Sequence, residues 1–411
     1  MRTPDEPPAR RLGVVVLGSA GSIGRQSLDV LLRLEDRFRV VGIATRERAA
    51  VLEEQAARCR PAVAALTGPD APATVDLPAG TRYLRGPAAL EALATHDDAD
   101  IILVATGGIV SLRPVLAALA AGKVVATANK ETLVAGGHLV MPLAAGRAAA
   151  VARERPGDPL ASSLAWLRPI DSEHSAIWQC LAGEQIGAVE RLILTASGGP
   201  FLDADEATLA SVTPEQALKH PTWRMGAKIT IDSATLANKG LEVIEAHWLY
   251  DVDYDAIEVV VHPQSVVHSA VLFRDGSLKA QLGTPDMRLP IQYALTYPQR
   301  YASPAAPPDL VGAGRLEFRA PDVGRFPALR IAFDAGRRGP RASAALIAAD
   351  EVAVERFLDG TLDFAGIPRA LEAAVERFGA GDGDPDLEEL TGLDAEVREW
   401  LAAPGAPRGE A

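Results

Sequence analysis

Cysteine is nearly absent from this chain: Cys59 and Cys180 are the only two among 411 residues. They lie far apart and in no metal-ligand spacing. That excludes a disulfide framework and a thiolate metal centre, and suits a reduced, cytoplasmic chain. Lysine is scarce too. Lys123, Lys130, Lys219, Lys228, Lys239 and Lys279 make six of the 41 basic residues, the other 35 being arginine. Where arginine supplies the surface charge, a retained lysine is one whose compact ammonium is more apt to be needed. Lys123, Lys219 and Lys279 read as surface residues, whereas Lys130 and Lys239 sit inside dense polar motifs. Basic residues as a class are outnumbered, leaving a net charge of −13. This argues against nucleic acid or an anionic membrane as partner, since both call for a basic surface. Any phosphate must then be held locally. Long apolar runs are missing as well, with no stretch approaching about 18 uncharged apolar residues. The opening Met1-Arg2-Thr3-Pro4-Asp5-Glu6-Pro7-Pro8 is too polar and proline-rich for a signal peptide. The expectation is a chain that neither crosses nor enters a membrane.

What is present is enough apolar material for two or three cores, at 48% hydrophobic content. The fold class read from the pattern is α/β: an N-terminal Rossmann-like doubly wound domain, a central α+β catalytic domain and a C-terminal helical domain. The expected boundaries are a disordered extension over 1–11, a nucleotide-binding domain over 12–151 and a linker over 152–168. A catalytic domain over 169–300, a linker over 301–327, a helical domain over 328–403 and a disordered tail over 404–411 follow.

Leu12 to Leu17 is an apolar run suited to a buried parallel strand, and it leads into Gly18-Ser19-Ala20-Gly21-Ser22-Ile23-Gly24 and then a helical pattern. Strand, glycine turn and helix N-terminus together make a pyrophosphate site, with Gly18, Ala20, Gly21, Ser22 and Ile23 as its candidates. The spacing is G-x-x-G-x-x-G, not the commoner G-x-G-x-x-G, and a purely structural tight turn is the competing reading. Phe38 to Ala44 reads as the second strand, ending in Thr45-Arg46-Glu47-Arg48. An acid there selects NAD and an arginine selects the 2′-phosphate of NADP. Arg46 and Arg48 flank a single Glu47, which favours NADP. Asp100 to Ala105 and Lys123 to Ala128 read as further strands around a helical Leu112 to Ala121, and the second delivers Asn129-Lys130-Glu131 to the ligand-bearing edge of the sheet.

The middle of the chain carries the chemistry. In Pro169-Ile170-Asp171-Ser172-Glu173-His174, read as extended strand, the two carboxylates would point the same way. Like charges so placed usually share a cation or a proton, although an isolated D-x-E is more often a solvated strand end. Leu192 to Thr195 reads as a strand opening into Ala196-Ser197-Gly198-Gly199-Pro200-Phe201. His220-Pro221-Thr222-Trp223-Arg224-Met225-Gly226 gathers rare residue types. Asp232-Ser233-Ala234-Thr235-Leu236-Ala237-Asn238-Lys239-Gly240-Leu241-Glu242 enters a helix bearing Glu242 and Glu245, and His262 to Ser269 is expected on another strand. Singly these fragments suit a core anchor, a helix cap or a turn. Jointly they offer three acids for a divalent cation, with Ser197, Ser233, Asn238 and Lys239 for a phosphate. Hard oxygen donors point to Mg²⁺ or Mn²⁺ and away from zinc.

The motifs GSAGSIG, ANKE, PIDSEH, SGGPF, HPTWRMG, DSATLANKGLE, HPQSVVHS and QLGTPDMR, in this order over most of residues 12 to 300, resemble those of the 1-deoxy-D-xylulose 5-phosphate reductoisomerase family. The resemblance implies NADPH- and metal-dependent conversion of that phosphorylated sugar to 2-C-methyl-D-erythritol 4-phosphate, the committed step of the non-mevalonate isoprenoid route, by a homodimer. It implies Asp171, Glu173 and Glu242 as ligands of one divalent cation, Lys130 as a cationic donor beside the same oxygens, and Ser172 as a hydrogen-bond partner of substrate. By the same resemblance Ser197, Ser233, Asn238 and Lys239 grip the phosphate, and residues 220–226 form a flap in which Trp223 closes, His220 reaches the substrate and Gly226 lies near the nicotinamide. Asn129 and Glu131 border the cofactor. Three departures stand out: Arg46-Glu47-Arg48 after the second strand, a longer stretch before Pro169, and Ala345-Leu346-Ile347-Ala348-Ala349-Asp350-Glu351 where the family reads A-L-N-A-A-N-E. A homoserine or semialdehyde dehydrogenase would share the first domain but has no need of D-x-E with a distant third acid. A catalytically dead nucleotide sensor would lack some of the acids or Lys239, and all are present.

Overall fold

The computed structural model describes residues 10–403 apart from Arg224 and Asp382. Of the extension expected over 1–11, only Arg10 and Arg11 fall among the described residues, and Arg10 is tied to Asp100 by a 2.6 Å ion pair. The tail expected from 404 lies outside the described residues. The chain divides into two compact units, the first comprising Met1–Asn129, Leu139–Ser175 and Asp286–Ala306, the second Lys130–His138, Ala176–Pro285 and Pro307–Ala411.

The first unit is built on a seven-stranded parallel sheet: β1 (Leu12–Leu17), β2 (Phe38–Thr45), β3 (Val63–Leu66), β4 (Arg82–Arg85), β5 (Ile101–Val104), β6 (Val124–Thr127) and β7 (Leu167–Pro169). The spatial order is β4-β3-β2-β1-β5-β6-β7. Val14, Val15 and Val16 are fully buried, as a strand covered on both faces requires. Each such side chain contributes roughly 1.5–3 kcal/mol by leaving water. From β1 the chain winds outward first one way and then, from β5, the other. The β1/β5 boundary is therefore the switch point where ligands bind beyond the strand ends. β3 and β4 were not legible, being four residues each, and β4, RYLR, is mostly exposed at the sheet edge. The stretch 152–168 contains the end of a helix at Glu154, two single 3₁₀ turns (Pro159–Ala161, Ser163–Ala165) and the start of β7.

One long helix is hidden from the sequence reading. Lys130–Glu154 is a 25-residue helix, long and apolar enough to cross a membrane by length and composition alone. Gly136, Gly137 and Pro142 interrupt its helical pattern in the sequence. Gly136 leaves helical geometry at φ −121°, and Leu133, Val134, Ala135, Val140 and Ala144 are fully buried in protein. A Cβ on Gly137 would lie 2.3 Å from the Trp248 indole. This is how a core helix packs.

The second unit holds a four-stranded sheet of β8 (Val189–Ala196), β9 (Ile257–Val261), β10 (Val267–Phe273) and β11 (Leu278–Leu282), in the order β11-β10-β8-β9. His262 to Val266, expected as strand, is a turn, with Ser265 at φ 50°. His262 Nε2 accepts the Val266 N–H (3.2 Å), so its Nδ1 carries the proton and donates to the Glu317 carbonyl (2.8 Å). Two helices, Ala227–Thr235 and Ala237–Tyr250, meet at Leu236, which is left-handed at φ 61°. Helices Ala328–Arg338, Pro340–Leu358, Gly366–Phe378 and Leu387–Ala402 also belong to the unit. The first of them packs so closely on Ala237–Tyr250 that a Cβ on Gly240 would fall 2.4 Å from the Ala332 methyl.

Candidate active site

In the first unit the glycine turn sits at the switch point. Gly18 has φ +85°, and a Cβ there would lie 2.4 Å from the Ala105 carbonyl at the end of β5, so only glycine fits. Gly21 starts the Ser22–Arg33 helix with no side-chain cap and no acid in the first turn. Its N–H groups and positive dipole end are left for an anion, and Gly21 and Ser22 are exposed while Ile23 is half-buried against the core. Gln55 and Arg25 fasten the turn from behind, donating to the Ser19 (2.8 Å) and Ala20 (3.0 Å) carbonyls. Arg48 also reaches the Ala20 carbonyl (3.3 Å), whereas exposed Arg46 pairs with exposed Glu47 (3.1 Å). Asn129 is buried, and its amide donates to the Thr106 and Gly108 carbonyls (2.9 and 3.1 Å), which fixes the loop after β5.

Asp171 and Glu173 lie just past the end of β7, but not on a strand. The Ser172–Leu181 helix begins there, and the Asp171 carboxylate accepts the Glu173 N–H at 3.1 Å. Asp-Ser-Glu ahead of an apolar-periodic stretch is a helix start, and that local hydrogen bond outcompetes extended structure. Ser172 Oγ lies 2.6 Å from Glu173 Oε2. Both carboxylates are half-buried, and His174 is turned fully inside.

The second unit gathers the remaining groups around one glutamate. Glu242, 1% exposed, receives Lys130 Nζ at 3.2 Å, Asn238 Nδ2 at 2.6 Å and the Lys239 ammonium. Asn238, Lys239 and Glu242 stand three and four residues apart on one helical face, as i,i+3 and i,i+4 neighbours do. Glu245, one turn further, also meets Lys130 at 3.3 Å. Both lysines singled out by scarcity are thus buried, and the sequence reading did not assign Glu245 a role. Its i+3 spacing from Glu242 was the available signal.

Ser197, His220 and Ser233 form a second cluster in the same unit. His220 Nδ1 accepts the backbone N–H groups of Thr222 (3.1 Å) and Trp223 (2.9 Å). The neutral ring therefore carries its proton on Nε2, which stands 3.0 Å from Ser197 Oγ and 3.1 Å from Ser233 Oγ. Burial pushes the His220 pKa down, which favours that neutral form. Gly199, at φ +69°, lets the end of β8 approach Ser233, since a Cβ would lie 2.6 Å from the Ser233 carbonyl. In an unbroken helix Ser233 and Asn238, five residues apart, would point about 140° away from each other. The left-handed Leu236 breaks that phase. Trp223 lies 6.1 Å from the His268 ring, and Gly226 caps the start of the Ala227–Thr235 helix. Arg224, within the expected flap, lies outside the described residues. Glu131 is buried and exerts its charge on Lys228, Asp232 and Glu351.

Comparison with known proteins bears on this arrangement. Family models match residues 14–137 as 1-deoxy-D-xylulose 5-phosphate reductoisomerase, 167–250 as its C-terminal domain and 282–400 as the DXP reductoisomerase C-terminal domain. The reductoisomerase of Pelotomaculum thermopropionicum is 49% identical over 389 residues, covering 94% of this chain and 96% of that protein. That of Thermomicrobium roseum is 46% identical, with the same coverage. Among solved structures, a DOX-P reductoisomerase in complex with NADPH, fosmidomycin and magnesium superposes with TM-score 0.84 at 35% identity, covering 94% of this chain and 97% of that one. The Zymomonas mobilis enzyme in complex with NADPH gives 0.81 at 37% identity, covering 95% and 98%. With glycine turn, buried glutamate and serine–histidine cluster each in place, the chain belongs to the 1-deoxy-D-xylulose 5-phosphate reductoisomerase family.

Proposed function

We infer that the chain carries out its family's reaction, the NADPH- and divalent-cation-dependent rearrangement and reduction of 1-deoxy-D-xylulose 5-phosphate to 2-C-methyl-D-erythritol 4-phosphate. The observation that carries this reading is the convergence of Lys130, Asn238 and Lys239 on buried Glu242. A carboxylate among three cationic or polar donors suits a chelated, phosphorylated ketose. Asp171, Glu173 and Glu242 together supply hard oxygen donors for one Mg²⁺ or Mn²⁺. When bound, the cation polarises the substrate ketone and NADPH supplies the hydride.

The chain's own residues then divide the remaining work. Lys130 donates to the developing oxyanion, and Ser172 hydrogen-bonds the substrate. Ser197, Ser233, Asn238 and Lys239 hold the phosphate, with His220 donating through Nε2. The 220–226 segment closes, Trp223 covering the substrate and Gly226 bordering the nicotinamide, so that the reacting carbonyl is shielded from water. Gly18, Ala20, Gly21, Ser22 and Ile23 cradle the pyrophosphate, and Arg46 and Arg48 flank the 2′-phosphate beside Glu47. Asn129 and Glu131 border the cofactor. In this division residues 12–151 serve the cofactor, 169–300 the metal and phosphate, and 328–403 support them. The assembly is a homodimer, and the compartment is the cytoplasm, in keeping with two unpaired cysteines.

The test is NADPH oxidation on adding the sugar phosphate, with and without EDTA. Oxidation with metal, lost in EDTA and restored by Mg²⁺ or Mn²⁺, is expected; no oxidation with metal present would sink the reading.

A further inference from the structure

Lys228 has no role in the scheme above, although it is one of only six lysines. It is the second residue of the Ala227–Thr235 helix, and its side chain is about a third exposed, at 32%. Its ammonium lies 2.7 Å from Asp232 Oδ2, one turn on, and 2.5 Å from Asp350 Oδ2 in the Pro340–Leu358 helix. Both acids are buried, their side chains 3% and 0% exposed. The second oxygen of each, Oδ1, has no hydrogen-bond partner among the described residues.

A buried ion pair is a poor stabiliser, because desolvation offsets most of its attraction. Its geometry is the better reason to look for a role. The helix that Lys228 bridges to its neighbour starts at Gly226, where the flap ends, and carries Ser233, whose hydroxyl meets His220. Gly226 provides no side-chain cap. The link from Lys228 to Asp350 is therefore a principal polar restraint on how far the helix can roll. We propose that Lys228, gripped between Asp232 and Asp350, is a positioning residue that fixes the rotational setting of the Ala227–Thr235 helix and so presents Ser233 to the substrate phosphate. This rests on the phosphate reading given above.

The cluster has a surplus of acid. Glu131 and Glu351 face it from two helices, and Arg398 offsets part of the charge by pairing with Glu351 and Asp394. Burial, reinforced by Asp350, holds the Asp232 pKa up to about 8, and burial with the Glu131 charge holds Glu351 near about 7. An acid whose pKa is raised in the fold contributes most below its ordinary value of 3.8. That contribution falls as pH climbs towards about 8 and is gone beyond it. Above that pH Asp232 takes on its charge beside Asp350, and the repulsion between the two, offset in part by the Lys228 ammonium held between them, loosens the link between the two helices. An amide at position 350, as in the family motif A-L-N-A-A-N-E, would remove that repulsion.

Steady-state kinetics of Lys228→Met, Asp350→Asn and Lys239→Ala across pH, with thermal unfolding of each, tests the proposal. Lys228→Met should raise KM for the sugar phosphate about tenfold with a smaller fall in kcat, and leave the NADPH KM within about twofold, the pattern of a misplaced binding group. Asp350→Asn keeps an acceptor for Lys228, so it should hold KM within about twofold at neutral pH and abolish the parent's rise in KM above about pH 8. Parental KM in Lys228→Met with only a lower unfolding temperature would overturn the proposal, as would an unchanged pH profile in Asp350→Asn. Should Lys228→Met fail to fold, the Asp350→Asn profile decides alone. If Lys239→Ala also leaves KM unchanged, the fault lies in the phosphate reading; if it raises KM while Lys228→Met does not, the positioning role alone fails.

Discussion

Glu242→Gln is the sharpest perturbation of this site, because one oxygen is exchanged for an NH₂ group while shape is kept. Two ammoniums, Lys130 and Lys239, then face a neutral amide. At the 3.2 Å separation seen for Lys130, the gross attraction lost is about 5 kcal/mol at an effective dielectric near 20. The carboxylate's own desolvation penalty disappears with its charge, so the net loss is nearer 3 kcal/mol. This should appear as a lower unfolding temperature even in EDTA, where no cation contributes. The second loss is one of three proposed metal ligands, and about 3 kcal/mol of transition-state stabilisation corresponds to roughly a hundredfold in kcat/KM. Titrating Mg²⁺ while following NADPH oxidation separates the two losses. The mutant should need more metal for half-maximal rate and should not regain parental turnover at saturation. A variant with the parental metal midpoint and turnover would refute both the ligand assignment and the convergence argument.

Gly199→Ala forces a Cβ to within 2.6 Å of the Ser233 carbonyl at a left-handed φ. It should cost about 1–3 kcal/mol of stability and raise KM for the sugar phosphate, and an unaltered KM would show that Ser233 is not held by this contact. Arg46→Ala combined with Arg48→Ala should raise the NADPH KM far more than the NADH KM, by steady-state kinetics. The Arg48 change should dominate, since Arg48 also bonds the glycine turn at Ala20, whereas Arg46 pairs with exposed Glu47. Equal use of both cofactors by the parent would count against it.

Legibility followed the range of the forces involved. Buried apolar runs such as Leu12–Leu17 and turns that demand glycine, Gly18 above all, are local and were readable. The Lys130–Glu154 helix is hard to read because Gly136, Gly137 and Pro142 interrupt its pattern, and only packing against Trp248 explains Gly137. The D-x-E pair was recognised, but its backbone was misread. The Asp171 carboxylate accepting the Glu173 N–H marks a helix start, a local signal that the strand reading did not use. Lys228 and Asp350 lie 122 positions apart, and no periodicity in either segment announces the other. Lys130 and Lys239 were picked out by rarity, and the same argument applied to Lys228 without a neighbouring motif to point to it.

The distribution of amines has a practical side. Lys130 and Lys239 are buried against Glu242, and Lys228 is clasped by two carboxylates. Lys219 and Lys279 stand exposed, Lys279 in a 2.8 Å surface pair with Glu184, and Lys123 is half-buried near a loop carbonyl. A gentle amine-directed reagent or coupling resin therefore meets Lys219 and Lys279 before the buried lysines, and because Lys219 directly precedes His220, Lys279 is the safer point of attachment. The chain can be tethered or tagged through Lys279 while Lys130 and Lys239 stay shielded by Glu242.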